Sequence, residues 1–200
     1  MRIRELTDGQ KDFLTDLKNS FKEKFNLELD RCVALCGGYL DASRDPKDVD
    51  IFIDLGMDPE ETTKRLSEIA LVVQDAGVFV SGTTIPGEPK YSDVFALITG
   101  SHELFGDLEI QFIIKDCPID DLFEDHFPLS IQQVGYMPNI NVKGAWMYHA
   151  SVIFQILHHE NSLDSFIDVF TEKRWEKAEK KYKKYYPHTK FRYVQKYPSR

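Results

Sequence analysis

The first strong pattern along the chain is helical. Phe13, Leu14, Leu17, Phe21 and Phe25 recur at three- or four-residue spacing, and Thr7 stands where a side-chain cap belongs. This spacing predicts an amphipathic helix over residues 7–25. The apolar runs then shorten to strand length. Residues 32–36 (CVALC) stop at Gly37-Gly38, and residues 48–55 (DVDIFIDL) alternate polar positions with Val49, Ile51 and Ile53. Pro59, followed by Glu60 and Glu61, opens a second helix expected to reach residue 74 and to end at Gly77. Residues 78–81 read as an edge strand and 82–93 as a loop rich in Gly and Pro. Two more strands are expected over 94–99 and 108–114, joined by the hairpin-like connection GSHELFG.

The second half reads differently. A short helix is expected over 117–127, after Pro118. Residues 129–136 are apolar without a decisive period, and 142–157 fit a strand or a helix equally. Leu163, Phe166, Ile167, Phe170 and Trp175 form an apolar stripe that predicts a long helix over 163–186, stopped by Pro187. Neither an internal repeat nor a low-complexity linker interrupts the chain. The expected plan is an α+β unit: a small mixed sheet backed by helices over 1–116, then a mostly helical C-terminal half over 117–200 packed on it.

Composition supports a folded, soluble chain: of 200 residues, 42% are hydrophobic and 12% aromatic. No apolar stretch approaches the roughly 20 residues of a membrane span, and MRIRELTDGQKDF lacks the apolar centre of a signal peptide. Cys32, Cys36 and Cys117 form no CxxC pair, so the first two are expected as small core side chains in a reducing, cytoplasmic setting. The net charge of −8 is unevenly spread: residues 171–200 carry eleven Lys or Arg against three Glu, leaving a strongly acidic body. A basic segment interleaved with Tyr, Phe and Trp suits phosphate contact and stacking on unpaired bases.

The acidic body contains one constellation with chemistry in it. On a strand Asp48 and Asp50 share a face, about 6.6 Å apart. Carboxylates that close repel unless a cation intervenes, and Mg²⁺ is the natural cation, held by one or two carboxylates plus substrate phosphates. In GDLEIQFII, residues 106–114, Glu109 is the mid-strand candidate for a third ligand and Asp107 the alternative. Three carboxylates can position two metal ions about 4 Å apart for phosphoryl transfer. Gly37 and Gly38 precede a short helical turn over 39–42, so backbone can approach a triphosphate closely and offer free N–H groups. Ser43, Arg44 and Lys47, in the following loop, are candidate nucleotide contacts.

This arrangement, with Gly-Gly after a strand, DVD on the next and an acidic residue on a later one, resembles the nucleotidyltransferase superfamily related to DNA polymerase beta. LCGGYLDASRDPKDVDIFID is most similar to the small stand-alone nucleotidyltransferases of bacteriophages, often described as like tRNA nucleotidyltransferases, and HFPLSIQQVGY resembles them too. The resemblance implies transfer of a nucleoside monophosphate from an NTP, such as ATP, to an acceptor hydroxyl, RNA or tRNA first and protein second, with release of pyrophosphate. It implies that Gly37 and Gly38 hold phosphates and that Asp48, Asp50 and Glu109 hold two Mg²⁺, or Mn²⁺; a phage protein would work in its host's cytoplasm. Relatives acting on tRNA ends commonly carry Arg-Asp shortly after the glycines, where this chain has Asp41-Ala42; Arg44 is the candidate replacement. The alternative is a non-catalytic protein of the same fold that binds RNA or a host protein. His158-His159-Glu160 and Ser130 or Ser151 show no ligand or triad spacing, and Trp146 and Trp175 read as packing residues.

Overall fold

The computed structural model describes residues 3–28, 32–42, 44–85, 94–115, 119, 134–138, 145–148, 164–168, 180, 183–184 and 190–194. Helix α1 (Asp8–Phe25) begins with a reciprocal cap: Thr7 Oγ1 accepts from the Gln10 amide, and the Gln10 side chain accepts from the Thr7 amide. It buries the face read from the sequence, Phe13, Leu14, Leu17, Phe21 and Phe25.

The second helical stretch is broken. Helix α2 (Pro59–Lys64) and helix α3 (Leu66–Asp75) meet at Arg65, where the sequence pattern predicts one continuous helix. Thr63 Oγ1 donates back to the Pro59 carbonyl, a side-chain bond that bends helices. The Arg65 guanidinium then lies 4.4 Å from the centre of the Phe25 ring, tying the joint to α1.

Strands β1 (Val33–Cys36), β2 (Asp48–Ile53), β3 (Phe79–Thr84), β4 (Val94–Ser101), β5 (Glu109–Lys115), β6 (Val134–Met137) and β7 (Ala145–Tyr148) form one mixed sheet in the order β3-β4-β5-β2-β1-β6-β7. Only β2 and β5 run parallel; the other neighbours are antiparallel. The expected edge strand is β3, longer than the sequence indicates by taking in Gly82 to Thr84. Residues 134–137 and 145–148, ambiguous by period, are both strands, so the sheet draws two members from beyond residue 116.

Alternation along the strands divides the sheet into two unlike faces. Val33, Leu35, Val49, Ile51, Ile53, Ile98, Ile110, Phe112 and Ile114 join α1 and α3 in the main core. On the other face Ala34, Cys36, Phe52, Ile113, Ile119 and Met137 form a second apolar cluster.

The long helix expected over 163–186 is corrected at its start. Strand β8 (Asp164–Asp168) pairs in parallel with β9 (Lys190–Val194) in a separate two-stranded sheet. Helical spacing in a short apolar stretch cannot exclude a strand whose partner lies more than 20 residues away. The described residues of 117–200 include strands β6 to β9, with Lys180, Lys183 and Lys184 helical and exposed; the rest of the region expected to be mostly helical lies outside the described residues. The helix expected over 117–127 lies outside the described residues except for Ile119.

Candidate active site

The site is built where β1 ends and β2 and β5 begin. In the parallel pair Asp48 stands opposite Glu109 and Asp50 opposite Gln111. Register partners share a face, so all four side chains lie on the side away from α1, with neighbouring strands about 4.8 Å apart. Val49 and Ile110 point the other way into the main core and fix this orientation. Asp48 and Asp50 are half-buried, Glu109 is exposed, and the Gln111 amide donates to Glu109 Oε1 at 3.1 Å.

Strand β1 brings the glycines to the same place. Cys36 pairs with Asp50, and the chain then enters a 3-10 turn over Gly37–Leu40. Gly37 has φ +82°, and a Cβ there would lie 2.7 Å from Asp50 Oδ2. The turn therefore passes directly over the carboxylate. Burial and the Asp50 charge together hold the Cys36 thiol protonated, far above its ordinary range, so it is no nucleophile. The turn is pinned from outside: Arg4 Nε donates to the Tyr39 carbonyl at 2.8 Å, and Gln10 Nε2 donates to Tyr39 Oη and to the Leu104 carbonyl.

Arg44 is placed less simply. A Cβ on Gly38 would collide with its guanidinium, so the second glycine makes room for arginine. That guanidinium is mostly buried and forms an ion pair with buried Asp41, 3.2 Å from Nε to Oδ2. The Asp41 that replaces the resembled pattern is thus the partner of Arg44, a role visible in sequence only as an i,i+3 acid–base spacing. Lys47 is exposed, Asp107 is exposed just outside β5, and Ser43 lies outside the described residues. Alternation along the strand puts Gln111 on the face of Glu109, but its hydrogen bond to that carboxylate carries no sequence signal.

The donor set suits a hard divalent cation, since every side chain offers oxygen, and two carboxylates suffice when substrate phosphates complete the shell. Among the described residues, however, no group of three His, Cys, Asp or Glu side chains closes on a common point. Asp50 lies under the glycine turn, with Asp48 two residues earlier on the same face and Glu109 opposite Asp48, accepting from Gln111.

Among solved structures, a Thermotoga maritima CCA-adding enzyme complexed with tRNA matches 94% of this chain and 39% of its own, at 14% identity and a TM-score of 0.51. The fold is like that of part of this enzyme. A tRNA-processing enzyme in an apo form matches 83% of the chain and 38% of its own at 12% identity, with a TM-score of 0.48. A CCA-adding enzyme in complex with CTP matches 80% of the chain and 32% of its own at 12% identity, with a TM-score of 0.45. The chain thus spans less than two-fifths of the length of these structures. No family model matches the chain, and no curated protein sequence matches it.

Proposed function

We propose that the protein is a metal-dependent nucleotidyltransferase. An acceptor hydroxyl oxygen attacks the α-phosphorus of an NTP, the bond from that phosphorus to the bridging oxygen breaks, and pyrophosphate leaves. The observation that carries this reading is the register of β2 and β5, with Asp48 opposite Glu109, next to a glycine turn that leaves no room for a side chain above Asp50.

Asp48 and Asp50 would hold Mg²⁺, and Glu109 would complete the set by exchanging its Gln111 hydrogen bond for the ion. When bound, the ions neutralise charge on the phosphates and on the attacking and leaving oxygens. Gly37 lets the backbone of the turn come close to Asp50 and to a triphosphate held there, toward which the N–H groups of the turn would point, while Gly38 leaves room for Arg44. Arg44, its charge balanced by Asp41, is held against Gly38 beside that cradle. Most of the catalysis is alignment and charge compensation, as phosphoryl transfer requires. An RNA acceptor is favoured by the eleven Lys or Arg of residues 171–200.

Purified protein incubated with each α-labelled NTP, Mg²⁺ and total cellular RNA or protein should label RNA. Asp48→Asn and Asp50→Asn should each lower labelling by on the order of a hundredfold or more at unchanged Tm. The hydrogen bond by which Gln111 already holds the exposed Glu109 carboxylate favours a second reading, a non-catalytic binder of RNA. That reading predicts no labelling by the wild type and RNA affinity unchanged in both variants.

A further inference from the structure

One large aromatic side chain stands in solvent on the same face as the carboxylates. Phe79 opens β3 and is 75% exposed, the most exposed large hydrophobic side chain among the described residues. Its orientation follows from its neighbours. Val78 is buried in the main core and Val80 packs against it, so alternation turns Phe79 to the opposite face. The ladder then locates it. Phe79 pairs with Ser101 of β4. The β4–β5 register, which pairs Gly100 with Ile110, brings Ser101 beside Glu109 in its next step, and Glu109 pairs with Asp48. Phe79, Ser101, Glu109 and Asp48 therefore form one row across four strands. Strand spacing puts the Phe79 backbone about 10 Å from Glu109 and about 14 Å from Asp48.

The second apolar cluster lies toward Phe52 and Ile113, at the far ends of β2 and β5, whereas Ser101, Glu109 and Phe79 are exposed. Strand β3 reads FVSGTT and carries no carboxylate to repel a phosphate and no charge of the kind that usually guards an edge. An isolated flat ring flanked by hydroxyl side chains suits the π-face of a base, which any of the four bases supplies. The phosphates of such a ligand are complementary to the basic 171–200 segment of the same chain.

We propose that Phe79 is the platform on which an unpaired base of the acceptor nucleic acid stacks while its terminal hydroxyl lies at Asp48 and Asp50. The proposal rests on the nucleotidyl-transfer reading for its geometry, but it is tested without chemistry. A short single-stranded RNA with a 3′-deoxy end, labelled at its 5′ end, is titrated with the full chain and followed by fluorescence anisotropy in the absence of NTP. Phe79→Ala should weaken binding on the order of tenfold, while Phe79→Tyr and Phe79→Trp keep it, and the emission added by Phe79→Trp should be quenched by the RNA. Affinity for free NTP and Tm should not change in any of the three.

Wild-type affinity in Phe79→Ala, no RNA binding by the wild type, or an equal loss of NTP and RNA affinity would each overturn the proposal. So would sedimentation showing a wild-type dimer that Phe79→Ala dissolves with RNA binding intact, which would make β3 a pairing edge for a second copy. Absence of nucleotide transfer together with Phe79-dependent RNA binding would sink the enzymatic reading and leave the stacking platform standing.

Discussion

At Gly37 the backbone takes φ +82° and passes so close to Asp50 that a single methyl group would lie 2.7 Å from the carboxylate oxygen. Two separate costs follow for any side chain there: the left-handed conformation, at about 1–2 kcal/mol, and displacement of Asp50. Gly37→Ala should therefore lower stability by at least about 1–2 kcal/mol and lower nucleotide transfer by more than the loss of folded protein explains. Calorimetry and a transfer assay at a temperature where the variant remains folded separate the two effects. Full activity in a destabilised variant would show that the turn serves the fold alone. Gly38 differs, since its missing Cβ makes room for the Arg44 guanidinium rather than for a ligand.

Among the elements, β1 is covered on both faces: Val33 and Leu35 belong to the main core, Ala34 and Cys36 to the second cluster. Cys32, at its entrance, has its thiol pushed up to about 11, by burial above all; Asp54 raises it further while Lys18 and Lys22 oppose the shift. The folded state thus keeps this proton after an unfolded chain, titrating near 9, has lost it. The stability it contributes is fully present below pH 9 and is lost as pH rises toward 11, on the order of 2 kcal/mol. Burial likewise raises Tyr136, which adds loss in the same direction. Denaturant melts at pH 8 and pH 11 should show a smaller alkaline loss for Cys32→Ala than for wild type; equal losses would remove Cys32 from the account.

The same elements show what local pattern can and cannot carry. Helix α1 and strands β1, β2, β4 and β5 are legible because each buries one stripe or face, and Thr7 and Pro59 mark starts that follow from backbone chemistry. The pairing of Asp48 with Glu109 spans 61 positions and depends on a parallel ladder, which alternation permits without specifying. Strand β7 is a short apolar segment whose length and period fit a helix as well, and strand β8 has a distant partner, so that there a helical spacing over 163–186 competes with a strand. Arg44 could be named as a candidate cation, but its ion pair with Asp41 depends on the turn that brings both beside Gly38.

For the whole molecule, the decisive feature is how one sheet face is divided between two tasks. Its far end packs Phe52 and Ile113 with Met137 and Ile119. Its near end sets Asp48, Asp50, Glu109 and Phe79 toward solvent or half into it, beside a turn fastened to α1 through Gln10 and Tyr39. A rigid apolar half thus supports a polar half whose carboxylates are held close by strand spacing, an arrangement whose repulsion a divalent ion relieves. The most direct test is titration of the full chain with Mn²⁺ in the presence of a non-hydrolysable NTP, followed by electron paramagnetic resonance of the free ion. The wild type should bind Mn²⁺ tightly with nucleotide present, and Asp48→Asn and Asp50→Asn should each lose that binding while staying folded. Identical Mn²⁺ binding in wild type and both variants would contradict the account.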